Sequence, residues 1–525
     1  MRRELWLVFV AAVALYLPAG RFGFVQDDRA IIASNPAAHS IGAALRAFDD
    51  PYWPPETGAG LYRPVTILSY AIDWTVSGGR PGWLHLMNAL WHGLATVLLV
   101  VLLARWLPAL GAATAGLVFA WHPVHVEAVA SLVGRAELLV AVGILGSVLA
   151  ARRGQWVVAV LCAALAMFSK EHGVIVGVVI LLDRWLDHTP PLSQRERARP
   201  ERSEGGTGGE DYPTGFWIAM GVVTIGFLAA WVVVGWVGES DQAAVFYDRA
   251  TWGRLAIALP AVARATVLLV WPVSLSVDYN PQVLPARAGM SIAAVLGLFI
   301  IVGVPMLAVW CRRRAPAISF AAGLAALSYL PTANLFFSSG VVLAERNLYL
   351  AAALPAVCVG WAATWLAARR GLRPAAVAVA IIVIACGWRS LARLPAWQDN
   401  RSQLVTLLAD HPESYRAHAS AAAVLAGIGD TAEARREYQK ADSLFPADRY
   451  LNGANAIFLI GIGDTAAAIP LIDRGGRSHI GERMTLRAQF VLELARDHRA
   501  VAAAIADSAS RRFVGEQNWY MRFRQ

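Results

Sequence analysis

Residues 121–139, WHPVHVEAVASLVGRAELL, place two histidines, two glutamates and an arginine between runs that are otherwise almost wholly apolar. Four more polar clusters interrupt apolar sequence in the same way: Gln26-Asp27-Asp28-Arg29, Tyr62-Arg63, Ser169-Lys170-Glu171-His172 and Glu345-Arg346-Asn347. Two chemistries use such residues. His122, His125 and Glu127 could ligate a metal, although HxxHxE is not the HExxH of zinc hydrolases. On a helix His122 and His125 share a face that Glu127 does not, and Pro123 interrupts any helix there, so a three-ligand geometry stays open. Alternatively, a carboxylate deprotonates an acceptor hydroxyl, while bases such as Arg135, Lys170 and Arg346 hold a phosphate that leaves with its negative charge.

The elements that must position these residues are membrane helices. Of 525 residues 57% are hydrophobic and 16% charged, and the mean hydropathy of +0.49 is too apolar for a soluble chain of this length. The net charge of +9 comes from arginine, since Lys170 and Lys440 are the only lysines. Arginine in short clusters between apolar runs suits cytoplasmic loop anchors and excludes a nucleic-acid-binding face. The four cysteines, Cys162, Cys311, Cys358 and Cys386, lie in or beside apolar segments without a CxxC pair, which argues against a disulfide framework or zinc knuckle.

The N-terminus, with its basic start and apolar core, is read as an uncleaved first span; the alternative is a signal peptide. Ten later spans are expected near 84–104, 109–121, 137–151, 155–169, 173–186, 215–237, 290–310, 316–335, 347–368 and 374–391. This gives about eleven. With the N-terminus inside, Arg2–Arg3, Arg105, Arg152–Arg153, the loop 184–202, Arg312–Arg314 and Arg369–Arg373 all fall on the cytoplasmic side. The apolar stretch 254–277 must then not cross. The charged, Gly-rich loop at about 187–214 reads as disordered.

Beyond residue 397 the composition becomes soluble, and GIGDTA occurs at 427–432 and again at 461–466, a spacing of 34 residues. Ala434, Tyr438, Ala441 and Pro446 follow the first copy at the spacing of a helix pair, Pro412 marks a partial earlier unit, and a third, degenerate unit is expected around Asp497. The pattern resembles tetratricopeptide repeats, which present concave surfaces to peptides or partner proteins. The expected fold class is therefore all-α: a polytopic membrane helical bundle over 1–396 and an α-solenoid over 397–525.

With this topology, nearly every polar cluster not explained by cytoplasmic anchoring falls on the outer side, His85, Asn88 and His92 included. Ionisable residues at membrane depth cost several kcal/mol unless paired or hydrated, so their convergence points to a functional cavity. A membrane scaffold that presents repeats would not need it.

The motifs are more specific together. QDD after the first span, YRPVTILSY, LHLMNALWHG, FAWHPVHVEAVASLVGRAELL, SKEHGV and AERNLYLAA occur in this order before the repeats. The chain resembles the transmembrane and tetratricopeptide repeat-containing (TMTC) family of protein O-mannosyltransferases, of the GT-C glycosyltransferase superfamily, over residues 1–480 and least in 186–255. LSVDYNPQV at 275–283 is similar to an external stretch of that family, which also keeps 254–277 from crossing. The resemblance implies a polyprenyl-phosphate-linked sugar donor used on the external face, in bacteria the periplasmic side of the inner membrane. It implies a protein Ser/Thr hydroxyl as acceptor, with the repeats engaging either that acceptor or a separate partner protein. It makes Asp28 or Asp27 the catalytic base, with Asp28 preferred, and Glu127 a second acid. Arg135, Lys170, Arg346, His122 and His125 would bind donor and phosphate, supported by Arg63, Glu137, Glu171 and Glu345. No cofactor is required; a divalent cation held by some of these groups stays open. The sugar is mannose or a related one.

Overall fold

A computed structural model describes residues 2–54, 60–188, 212–235, 242–285, 291–475, 479–513 and 516–523. Most of the charged loop expected to be disordered lies outside them. The described residues are helical, with no strand. The membrane part contains α1 (Arg2–Tyr16), α2 (Ile41–Arg46), α3 (Pro64–Ser77), α4 (Pro81–Leu103), α5 (Ala109–Trp121), α6 (His125–Ala130), α7 (Arg135–Arg152) and α8 (Trp156–Ser169). It continues with α9 (Val176–Asp187), α10 (Thr214–Ala230), α11 (Thr251–Val270), α12 (Ile292–Cys311), α13 (Pro316–Tyr329), α14 (Ala353–Arg370) and α15 (Leu372–Arg393).

Seven helices are long and apolar enough to cross a membrane, and three shorter apolar ones accompany them. A helix occupies each of the eleven expected spans, but α9 has only 12 residues because Glu171–Ile175 forms a tighter 3-10 turn before it. Burial separates centre from rim. In the segment Leu132–Arg152, which contains α7, 89% of the apolar window is covered by protein, against 17% in α12. The exposed side chains of α12, such as Ile292, Phe299 and Met306, suit contact with acyl chains. Small residues bring the central helices together. A Cβ on Gly111 would stand 2.9 Å from the Gly360 carbonyl oxygen and one on Gly360 2.3 Å from that of Gly111, so α5 and α14 meet backbone to backbone.

Contacts define the two ends of the bundle. At one end Asp183 of α9 accepts from Arg105 (2.9 Å) and Arg152 (2.7 Å), and Arg312 lies 5.4 Å over the Trp185 ring, so these arginines share a side. At the other end Arg346 bonds Glu127 (2.8 Å) and Lys170 bonds Asn347 (3.1 Å). Between Lys170 and Arg346 run α9, α10, α11, α12 and α13, an odd number, so they cannot all carry the chain across. Contacts at its two flanks single out α11. Before it the Ala243 amide donates to the Ser339 carbonyl (2.9 Å), and near its start Arg254 donates to that of Leu335 (3.2 Å). Beyond its end the Ser276 amide donates to Glu345 (2.8 Å). Although α11 is long enough to span, both its flanks belong to the Arg346 end.

The tail holds α16 (Asn400–Asp410), α17 (Tyr415–Gly427), α18 (Thr431–Leu444), α19 (Arg449–Gly461), α20 (Thr465–Arg474), α21 (His479–Ala495), α22 (Arg499–Arg512) and α23 (Glu516–Met521). The helices α18, α20 and α22 begin at residues 431, 465 and 499, which extends the 34-residue period to a third helix pair. Asp430 and Asp464 cap α18 and α20 by accepting the Glu433 and Ala467 amides (both 3.1 Å). Each pair turns on a left-handed residue: Gly429 (φ +87°), Gly463 (φ +86°) and, at the same register, Asp497 (φ +61°). A side chain there is strained where glycine is free. Asp497→Gly should therefore stabilise the α21–α22 pair by about 0.5–1 kcal/mol after glycine's own entropy is counted. Slower amide exchange in 483–512 of the full chain would show it; faster exchange would refute it.

The tail packs on the Arg346 end of the bundle. Arg416 pairs with Asp278 (3.0 Å), Asn280 bonds Ser414 (2.5 Å), Gln282 bonds the Leu444 carbonyl (3.1 Å) and Arg393 pairs with Asp410 (2.8 Å).

Candidate active site

The first acidic pair follows α1 on a tight turn. The Asp28 amide donates to the Val25 carbonyl (3.0 Å), and between them Gln26 is left-handed (φ +44°). The two carboxylates have different surroundings. Asp28 is fully buried; its Oδ2 accepts the Val25 amide (3.1 Å) and its Oδ1 the Val133 amide (2.9 Å). It joins the first loop to the turn before α7. Burial pushes its carboxyl up to about 7, against the pull of these amides. Asp27, beside it, is half-exposed.

Around Asp27 four chain segments bring ion pairs together. Arg63 clasps both oxygens of Glu171 (Nη2 to Oε2, 2.9 Å) and lies 4.9 Å over the Tyr52 ring. Lys170 donates to Glu137 and to Asn347, and His172 stands 3.3 Å from the other Glu137 oxygen. Glu127 accepts from the Arg346 guanidinium (2.8 Å) and from the Arg346 amide (2.9 Å). Burial opposes the charge on Arg346, but Glu127, Asp27 and Glu137 outweigh it and hold the guanidinium charged. Burial also lowers the Lys170 pKa, against Glu137, with Arg63 and Arg346 adding to the fall. Arg346 and Glu171 keep about a quarter of their side chains exposed, so the cluster is open on one side.

Local sequence explains the placement. Pro123 ends α5, and the six residues of α6 turn Glu127 toward the 3-10 turn Glu345–Leu348. Lys170 takes an extended conformation between α8 and the next 3-10 turn, which drops its side chain into the bundle end.

Three expected phosphate or donor contacts are placed elsewhere. Arg135 is fully buried and its donors are taken: Nε by Asn88 (2.8 Å), Nη1 by Asp73 and the Ser69 carbonyl, Nη2 by the Leu84 carbonyl (3.0 Å). It braces α3, α4 and α7. His122 meets the Leu269 carbonyl (2.9 Å), and His125 that of Tyr349 (3.1 Å). Burial takes His122 down to about 4 and His125 well below its usual range, so neither is a cation at neutral pH. They form an aromatic knot with His92, Phe119 and Tyr349. Glu127 is engaged by Arg346, while the His122 and His125 rings lie 5.9 Å apart between their centroids, each bonded to a backbone carbonyl. Among the described residues no group of three His, Cys, Asp or Glu is arranged to hold a metal ion.

Glu345 is buried beside the cluster. Its Oε1 accepts the Ser276 amide and the Tyr279 hydroxyl (both 2.8 Å), while Oε2 has no partner. Burial pushes its carboxyl up to about 7, with Arg393 opposing. A raised carboxyl pKa contributes stability that is present below the unfolded value and is lost as pH rises through 7. Glu345→Gln keeps the accepting oxygen, so it should flatten the loss of stability between pH 5 and 8. The difference should reach on the order of 3 kcal/mol at the alkaline end. Melting curves of both proteins across that range test this; parallel curves would refute it.

Sequence reasoning missed Tyr52 and Asp73, and it named Asn347 and Asn88 without the partners they take here, Lys170 and Arg135.

No protein-family profile matches the chain. It is similar to human protein O-mannosyl-transferase TMTC3, 26% identical over 382 residues that cover 66% of this chain and 41% of that protein. It is also similar to the Caenorhabditis elegans protein O-mannosyl-transferase F38B6.6, 25% identical over 460 residues, 85% of this chain and 63% of that one. The chain thus spans less than two thirds of the length of these curated relatives. Among solved structures, ArnT from Cupriavidus metallidurans bound to undecaprenyl phosphate aligns over 96% of this chain and 80% of its own, at 16% identity and a TM-score of 0.40. In sequence the chain is similar, over 66% and 85% of its length, to two animal proteins named protein O-mannosyl-transferases.

Proposed function

We propose that the chain transfers a sugar from a polyprenyl-phosphate donor to a Ser/Thr hydroxyl of a protein, at the membrane face that carries Asp27. One observation carries the reading. A partly exposed carboxylate with no backbone hydrogen bond among the described residues, Asp27, lies within electrostatic reach of the charged Arg346, whose ion-pair cluster also holds Lys170 and Arg63. The relatives' names supply the protein acceptor and mannose as the first sugar to test.

In this mechanism Asp27 accepts the proton of the acceptor hydroxyl as its oxygen forms the new bond to the anomeric carbon. The bond from that carbon to the phosphate oxygen breaks, and the electron pair leaves with the lipid phosphate. Arg346 and Lys170 meet this charge, and the anomeric configuration inverts. Glu127 fixes the Arg346 guanidinium with a charge-assisted bond, so the cation is in place before the reaction. The arginine-rich opposite end faces the cytoplasm by the positive-inside rule, which puts the site and the repeat tail outside, in a bacterium on the periplasmic side. The repeats recruit the acceptor protein.

The test is the purified full chain in liposomes with polyprenyl-phosphate-linked mannose, then other hexoses and pentoses, and periplasmic proteins as acceptors. Acid-stable sugar on Ser or Thr with inverted configuration supports the reading. No transfer from any of these donors, with the protein folded, overturns it.

A further inference from the structure

The turn that carries Asp27 is held from two sides. On one side Asp28 ties it to Val133. On the other it rests on the start of the tail: the Gly23 amide donates to the Gln398 carbonyl (3.0 Å), and the Gln26 amide to Asn400 Oδ1 (2.8 Å). Gln26 is the left-handed residue of the turn, a conformation that costs a side-chain-bearing residue free energy of the order of one hydrogen bond. Asn400 is free to make this contact because its neighbour Asp399 caps α16, accepting the Ser402 amide (2.7 Å). Residues 374 positions apart thus share one bond, immediately before the half-exposed carboxylate.

We propose that Asn400 is a positioning residue for Asp27: the first turn of the tail secures the strained backbone at Gln26 and so aims the neighbouring carboxylate. The active site is then completed by the tail, which does more than carry the acceptor. A displacement of 398–400, for example by an acceptor protein engaging the repeats, would change the geometry of the base. The inference rests on the reading of Asp27 as base.

The test compares Asn400→Ala and Asn400→Asp in the full chain. Asn400→Ala should lower kcat about tenfold, the factor a single neutral hydrogen bond can carry, and leave the donor KM within about twofold. Amide exchange at residues 23–27 should accelerate, with an unchanged melting temperature. Asn400→Asp keeps an oxygen acceptor in place and should restore both kcat and slow exchange. If Asn400→Ala accelerates exchange but leaves kcat unchanged, or changes neither, the positioning role is wrong even where Asp27→Asn abolishes transfer. If Asn400→Ala lowers the melting temperature and Asn400→Asp restores that alone, Asn400 only stabilises the tail. Should Asp27→Asn retain full transfer, the base assignment itself fails, independently of Asn400.

Discussion

Asp27→Asn will reduce transfer by about 10² to 10⁴, the usual contribution of a positioned base, and the protein will remain folded with its donor affinity intact. Asp28→Asn will behave in the opposite way. Its two oxygens receive two backbone amides, so the new side-chain amide NH2 must face one of them, donor against donor. The cost is about 1–3 kcal/mol of stability, while the protein that still folds retains transfer to within about tenfold. The sequence offered both residues and the family resemblance favoured Asp28. A carboxyl raised to about 7 does suit a base at neutral pH, and Asp28 has that property. Its geometry argues the other way, for a fully buried group with both oxygens accepting backbone amides offers an acceptor hydroxyl little access. Rates normalised to folded protein, with melting curves of both variants, separate the two. Loss of transfer in a normally stable Asp28→Asn protein would reinstate Asp28.

Arg135→Met is expected to be the most destabilising of the single changes considered. It leaves the Asp73 carboxylate buried without its cation and the Asn88 side-chain oxygen without its donor. Breaking a buried pair in this way costs about 3–5 kcal/mol. That is a large part of the roughly 5–15 kcal/mol by which domains are stable. Little folded protein should emerge, as judged by the monodisperse fraction in size-exclusion chromatography. Adding Asp73→Leu removes the orphaned charge and should recover part of that fraction, although the Asn88 side-chain oxygen stays without a donor. A well-folded Arg135→Met protein with a raised KM for the lipid donor would instead make Arg135 a phosphate contact, as its place in the motif suggested.

Much of this molecule was legible in its sequence. Composition and the spacing of apolar runs determined an all-helical membrane part, because a backbone in lipid must satisfy its hydrogen bonds within each segment. The arginine clusters determined which loops share a side, and the recurrence of GIGDTA gave the 34-residue register of the tail, extended by the structure to Asp497. The polar motifs named the residues worth examining. Tertiary structure decided which partners each one has. Arg135 and Arg346 are alike in sequence, arginines in polar motifs at the ends of apolar runs. One is enclosed by α3, α4 and α7, and the other is left a quarter exposed beside Asp27. Asp27 and Asp28 are adjacent and chemically equal, and only the amides of Val25 and Val133 make one a brace and leave the other available. Spacing along a chain fixes the face on which a residue lies, whereas burial and partners depend on segments hundreds of residues away. The bond between Gln26 and Asn400 is of that kind.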